Sequence, residues 1–292
     1  MTDQQWLAER FEEQRSRLRA VAYRMLGSLS EADDAVQDAW LRVSRADTSE
    51  VENLGAWLTT IVARVALNML RSRNTRREQP LDVHVPDPIV DPADGTAPEH
   101  EALLADSVGL ALLVVLETLS PAERLAFVLH DMFAVPFEQI APIVERSPEA
   151  TRQLASRARR RVRGTASAPD APLSEQWKVV DAFLAAARDG DFEALVAVLD
   201  PDVVLRADGG MTGLSHHVEG AETVAGQATM WAKAGLTVKR ALVNGAAGLV
   251  SERDGKPFSV GAFTIKDGKI VELDFLVDPE RLARLDLEVL QD

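Results

Sequence analysis

Val135-Pro136-Phe137-Glu138-Gln139-Ile140-Ala141-Pro142-Ile143-Val144-Glu145-Arg146-Ser147-Pro148 is the stretch on which the fold turns. Its first ten residues predict a short helix, Glu145-Arg146-Ser147 a tight turn, and Ser147 the N-cap of a second helix. Pro148 then takes the first helical position, where a missing N–H costs least. The second helix collects Arg152, Arg157, Arg159, Arg160, Arg161 and Arg163 within twelve residues free of Asp and Glu. A helix-turn-helix of this kind can enter a DNA major groove, with early side chains on base edges and arginines on phosphates. Pro142, well inside the first helix, predicts a kink there.

Charge is spread unevenly around that stretch. The 292 residues carry a net charge of -14, which taken whole speaks against nucleic acid. Residues 1–80 hold 12 basic and 12 acidic side chains, residues 81–119 none and 8, residues 120–163 8 and 5, and residues 164–292 12 and 21. Positive charge is thus held at Arg71, Arg73, Arg76 and Arg77 and in the helix after Pro148, with an acidic connector between them. There is no cysteine, which excludes disulfides and thiolate zinc sites, and no metal or cofactor is expected. The longest apolar run, near Gly109 to Leu116, is too short to cross a bilayer, and no signal core opens the chain. The expectation is a cytoplasmic protein with no membrane partner.

Composition divides the chain into five segments: residues 1–78, a connector 79–100, residues 101–163, a second linker 164–172, and residues 173–292. From Trp6 to about Arg77, apolar spacing predicts three or four helices broken at Gly27-Ser28, Asp47-Thr48-Ser49 and Gly55. Ser30 reads as the N-cap of a helix to Val43, and a longer helix runs from Ala56 to about Arg73. The connector, with five prolines and four aspartates in residues 79–98, reads as a stiff acidic tether with no means of building a core. Helix returns from Glu99 to Leu119, and Ser120 with Glu123 forms a capping signal for the next one. In the C-terminal segment a pair of amphipathic helices, Trp177 to Arg188 and Phe192 to Leu199, precedes short β-rich runs. Gly209-Gly210, Asn244-Gly245, Asp254-Gly255 and Asp267-Gly268 supply turns, which together predict an α+β domain.

Several motifs in order carry a resemblance to a known family. They are Ala22-Tyr23-Arg24-Met25-Leu26-Gly27, Glu31 to Leu41, Ala56-Trp57-Leu58-Thr59-Thr60-Ile61-Val62, Val85-Pro86-Asp87-Pro88, Leu119 to Arg124, Arg152-Gln153-Leu154-Ala155, Asp208-Gly209-Gly210 and Asn244 to Leu249. The chain resembles an extracytoplasmic-function (ECF) sigma factor of the subgroup with a C-terminal SnoaL/NTF2-like domain. The resemblance implies two all-α sigma domains, region 2 and a region 4 helix-turn-helix, followed by an α+β NTF2-like cone. It implies that Asp33, Asp34, Gln37, Asp38 and Trp40 dock on the β′ clamp helices of core RNA polymerase, with region 4 on the β flap. Trp57, Arg64, Asn68, Arg71 and Arg73 would hold the unstacked -10 strand. Glu149, Arg152, Gln153, Ser156, Arg157, Arg160 and Arg161 would read promoter DNA at -35. The connector is implied to thread toward the polymerase active-site cleft. Asp208, Gly209, Gly210, Asn244, Gly245, Gly248 and Leu249 look like signatures of the regulatory domain.

Two other readings stay open. One is a free-standing helix-turn-helix regulator whose last domain senses a small-molecule ligand. The other is an NTF2-like enzyme with a DNA-binding extension, in which Asp208, His216, His217, Trp231 and Asp274 would line a cavity. Adjacent histidines in a strand point to opposite faces, which weakens that set, and a pocket without chemistry is the stronger expectation for this domain.

Overall fold

The computed structural model describes residues 3–48, 51–75, 83–95, 109–165, 171–210 and 215–287. They fall into two compact units, one built from residues up to 75 and from 115–165, the other from 83–95, 109–114 and 171 onward.

The first unit is all-α. Helices α1 (Asp3–Leu26), α2 (Leu29–Val43) and α3 (Leu54–Thr75) bury Phe11, Leu18, Val21, Met25, Val36, Leu58, Val62 and Leu67 against one another. Gly27 (φ 72) turns the chain after α1 and leaves Ser28 extended, so Ser28 accepts the N–H of Glu31. The expected cap at Ser30 is thereby displaced by two residues. Likewise Asn53 stands just before α3, its side-chain oxygen accepting the N–H of Ala56 at 3.0 Å, and Gly55 lies inside the helix. Helix α4 (Leu110–Glu117) is shorter than the expected Glu99–Leu119; residues 99–108 lie outside the described ones. Helix α5 (Pro121–Phe127) starts with the full Ser120/Glu123 capping box and runs into a π-turn, Val128–Met132.

Helices α6 (Phe137–Val144) and α7 (Pro148–Thr165) form the helix-turn-helix. Glu145 takes the left-handed conformation (φ 58) at the turn, and Ser147 Oγ accepts the N–H of Ala150 at 3.2 Å. Helix α6 continues through Pro142; the ring removes only the ladder donor to Glu138, two residues before the helix ends. The α1–α3 helices and the helix-turn-helix helices pack within this unit around two buried arginines. Arg124 donates to the carbonyl of Arg24 at 3.2 Å, and burial pushes its guanidinium down to about 10, while Arg24 lies over the Phe133 ring.

The second unit is a curved sheet covered by helices α8 (Leu173–Asp189), α9 (Phe192–Val198) and α10 (Ala221–Ala232). Strand order among the described residues is β1-β4-β5-β6-β7-β2-β3, with β1 Val90–Pro92, β2 Leu199–Asp208, β3 His216–Glu219, β4 Thr237–Val243, β5 Ala246–Arg253, β6 Lys256–Lys266 and β7 Lys269–Leu276. Three hairpins turn at Asn244-Gly245, Asp254-Gly255 and Asp267-Gly268, each pair at positive φ as a type I′ turn requires. A short helix α11 (Pro279–Leu282) follows β7. The inner face of the sheet packs Leu205, Leu249, Phe263 and Leu273 against Val180, Phe183 and Leu195, so sheet and helices close into an α+β cone.

The acidic connector departs from its expected character. Val83, Val85, Ile89 and Val90 are buried, and β1 pairs antiparallel with β4, Val90 opposite Val243 and Pro92 opposite Ala241. Its prolines do not prevent this, because an edge strand needs donors on one side only.

Candidate nucleic-acid interface and the Asp208 clamp

The helix-turn-helix presents one exposed stripe. Glu149, the adjacent Arg152 and Gln153, Ser156 and Arg160 follow one face of α7 at steps of three or four, and all are exposed, while Thr151, Ala155 and Ala158 are buried beneath them. Arg160 has no ion pair among the described residues. Arg157 and Arg161 lie round the helix and belong to a different structure. Arg157 Nε reaches Glu123 at 3.1 Å, and Arg161 Nη1 reaches Glu123 at 3.6 Å and the Thr118 carbonyl at 3.3 Å. Burial pushes the Glu123 carboxyl up, but hydrogen bonds from Ser120 and Arg157 and the charge of Arg161 outweigh it and hold it below its usual range. Glu123 therefore caps α5 and clips α7 onto it. Arg159 is similarly bound to Asp131. The arginine run thus divides into a face toward solvent and a face that braces the motif.

On α3, Trp57, Arg64, Asn68 and Arg71 recur at i, i+7, i+11 and i+14 and share one side; Trp57 is half-buried and the other three are exposed. Arg71 sits 3.7 Å from Glu145 in the helix-turn-helix turn. Arg73 lies roughly 160° away around the helix and is committed to Glu31 and to the Leu26 carbonyl at the end of α1. Arg76 and Arg77 lie outside the described residues.

On α2, Asp34, Gln37 and Asp38 are exposed on one face together with Leu41, which is 47% exposed. Leu41, which the sequence offers only as the last residue of the Glu31 to Leu41 motif, adds an apolar spot to that acidic face. Asp33 is engaged with Arg19 at 2.7 Å, and Trp40 packs on Phe11 of α1, ring centroids 5.0 Å apart.

Of the residues expected as signatures of a regulatory domain, Asp208 and Asn244 meet the connector. Asp208, at the end of β2 and 1% exposed, accepts the N–H of Val85 at 3.0 Å and of Gly210 at 3.0 Å. Arg281 Nη1 lies 2.7 Å from the same carboxylate, and His84 Nδ1 3.1 Å. Arg281 also reaches Asp87 at 2.8 Å and the Val85 carbonyl. Burial raises Asp208, but the hydrogen bonds from His84, Val85 and Gly210 and the charge of Arg281 prevail and hold it down at about 2. Asn244 completes the clamp: its Oδ1 accepts the Ile89 N–H at 3.1 Å and its own N–H donates to the Ile89 carbonyl at 2.8 Å. Gly210 (φ 56) is where a Cβ would run into Asp278, and at Gly248 a Cβ would lie 2.6 Å from the Gly261 carbonyl. Gly209 donates to Ser215, Gly245 completes the I′ turn, and Leu249 faces the interior of the cone.

Of the five residues proposed to line a catalytic cavity, His216 and Trp231 do so. Asp274 and His217 do not: β2, β3 and β7 place His217, Arg206 and Asp274 in one row on the opposite face of the sheet. Arg206 bridges Glu272 at 3.2 Å and Asp274 at 3.0 Å there, and burial raises both carboxyls. Asp208 is occupied by the clamp. No helix is long and apolar enough to cross a membrane among the described residues, and no cluster that could hold a metal is found among them.

Comparison with known proteins identifies the family. Residues 10–76 match the family model Sigma-70 region 2, and residues 109–162 match Sigma-70, region 4. The chain is 37% identical over 293 residues to the ECF RNA polymerase sigma factor SigJ of Mycobacterium tuberculosis, spanning 94% of this chain and 92% of that one. It is 34% identical over 285 residues to a probable ECF RNA polymerase sigma factor SigI of the same species, 92% of each chain being covered. The crystal structure of SigJ superposes with a TM-score of 0.77 at 33% identity, over 96% of this chain and 99% of that chain. The chain belongs to the ECF RNA polymerase sigma factors.

Proposed function

We infer that this sigma factor binds core RNA polymerase through the exposed face of α2 and through region 4, and directs initiation at promoters with -10 and -35 elements. Asp34, Gln37, Asp38 and Leu41 offer the basic and polar clamp helices of β′ an acidic surface with an apolar centre. Trp57 stacks on an unpaired base of the -10 strand while Arg64, Asn68 and Arg71 follow its backbone, since single strands are held by stacking and cations. Promoter melting is then driven by binding energy. Glu149, Arg152, Gln153 and Ser156 face base edges at -35, and Arg160 a phosphate. Arg157 and Arg161 act at one remove by fixing the angle of α7 through Glu123. This work takes place where polymerase and chromosome are, in the cytoplasm.

The last domain regulates the chain in cis and performs no reaction. The observation that carries the regulatory role is the clamp: a connector paired as β1 and held by Asp208 and Asn244 is not available to thread a polymerase channel. For the absence of chemistry, the support is that the buried carboxylates lie across the sheet from the cavity. Run-off transcription with core polymerase, comparing the full chain with a chain truncated after Gly164, tests both roles. Altered promoter activity on truncation is expected. Equal activity removes the regulatory claim, and failure of the full chain to co-purify with core polymerase favours a free-standing regulator.

A further inference from the structure

The sheet of the second unit curls around a cavity of about 550 Å³, within the roughly 300–1,000 Å³ of small-molecule sites. Phe183, Leu249, Leu273, Phe275, Trp231 and Phe258 make its walls largely apolar. Besides His216 and the charged Asp181, Arg188 and Arg240, its polar lining is a pair of serines. Ser251 and Ser259 are cross-strand neighbours on β5 and β6, 3% and 5% exposed, with their hydroxyls bonded to one another. Two hydroxyls carry two hydrogens, and the mutual bond uses one. The other has no acceptor among the described residues, and a buried donor without a partner is costly. An occupant that supplied an oxygen there would remove that cost.

The charged side chains at the cavity are Asp181, Arg188 and Arg240. Arg240, one of the cations at the cavity, is paired with Asp181 and lies over the Trp177 ring; Arg188 is exposed. Two further wall residues connect the cavity with the clamp. Ala207 directly precedes Asp208, and Val277 donates its N–H to the Asp208 carbonyl at 2.7 Å, as Asp278 does at 3.0 Å. Pressure on Ala207 or Val277 therefore bears on the backbone that aims the Asp208 carboxylate at Val85.

We propose that this cavity binds a neutral, largely apolar molecule carrying one hydrogen-bond acceptor oxygen, which takes the second hydroxyl hydrogen of the Ser251–Ser259 pair, and that occupancy is transmitted through Ala207 and Val277 to the Asp208 clamp. This names the ligand class for the cis-regulation inferred above and rests on that reading only for its effect at promoters.

The test uses the full chain without polymerase, so its failure is separate from any failure in transcription. N-phenyl-1-naphthylamine serves as fluorescent probe, with 4-phenylcyclohexanone, phenylcyclohexane and 4-phenylcyclohexanecarboxylate as competitors of one skeleton. The wild-type chain takes up the probe, and the ketone displaces it best. In the double variant Ser251→Ala, Ser259→Ala, ketone affinity falls about three- to tenfold while that of phenylcyclohexane stays within about twofold. Ala228→Trp fills the cavity and abolishes probe uptake; its melting temperature reports whether the fold survives, and the serine variant carries the test if it does not. No uptake by the wild-type chain, equal loss of ketone and hydrocarbon in the serine variant, or tightest binding by the carboxylate overturns the ligand class. Saturating ketone changes hydrogen exchange at the Val85 and Ile89 amides; unchanged exchange on a bound protein overturns the transmission.

Discussion

Replacing Asp208 by Asn tests the clamp at its centre. The carboxyl is held at about 2 against an ordinary 3.8, a displacement of nearly two units, or about 2.5 kcal/mol. Because the folded value is depressed, that stability is present above pH 4 or so and is lost as pH falls toward 2. His84 on one side of the group is 38% exposed, so solvent screening trims the figure to about 2 kcal/mol. An amide keeps one acceptor oxygen for Val85 or Gly210 but turns a donor toward Arg281, which adds up to about 1 kcal/mol. Opening of the connector should therefore become easier by about 2–3 kcal/mol at neutral pH, with little effect on the sheet behind it. Hydrogen exchange followed by mass spectrometry reads this directly. In the variant the Val85 and Ile89 amides should exchange about 30- to 150-fold faster, while amides of Phe263 and Leu273 keep wild-type rates. If Val85 and Ile89 stayed within about threefold of wild type, Asp208 would not be what holds the connector.

Glu123→Gln should lower the melting stability of region 4 by about 1–2 kcal/mol, since a capping group and two arginine contacts weaken together; calorimetry showing no loss would refute the brace. Arg160→Ala should reduce the slope of log affinity against log salt on -35 DNA by roughly one unit without changing sequence preference, whereas Gln153→Ala should cost about 1–3 kcal/mol at a single base pair. Footprint titrations on matched and mutated sites separate the two, and exchanged behaviour would reverse the assignments. Trp57→Ala should weaken binding of single-stranded -10 DNA by about 1–3 kcal/mol and leave duplex -35 binding unchanged; an intact single-strand affinity would return Trp57 to a packing role.

Local chemistry explains why some elements were readable from the chain. Asn244-Gly245, Asp254-Gly255 and Asp267-Gly268 announce hairpins because few residues accept positive φ twice in succession. Ser120 and Ser147 announce helices because their hydroxyls answer donors three residues on. Strand β3 and helix α10 gave no such signal: His216–Glu219 is short and has no buried residue, and α10 holds Gly226 in its interior. Strand β1 was unreadable for a different reason. Its partner β4 lies some 150 residues away in sequence, and nothing local distinguishes Val-Asp-Pro as strand from the same residues as tether. At the candidate interface, helical spacing found the exposed stripe of α7 but could not separate Arg160 from Arg157 and Arg161, because that depends on where Glu123 falls in the folded unit.

The pairing of β1 with β4 also sets what release would expose. With the connector gone, Ala241, Leu242 and Val243 become the rim of an open sheet, with unanswered main-chain donors and acceptors beside apolar side chains. Such a rim adheres to any extended strand of suitable register, including one from a second molecule. On the proposed reading, in which activation frees the connector, a second surface has to cover this rim, and liberating the tether is as much a matter of what replaces it as of what lets it go.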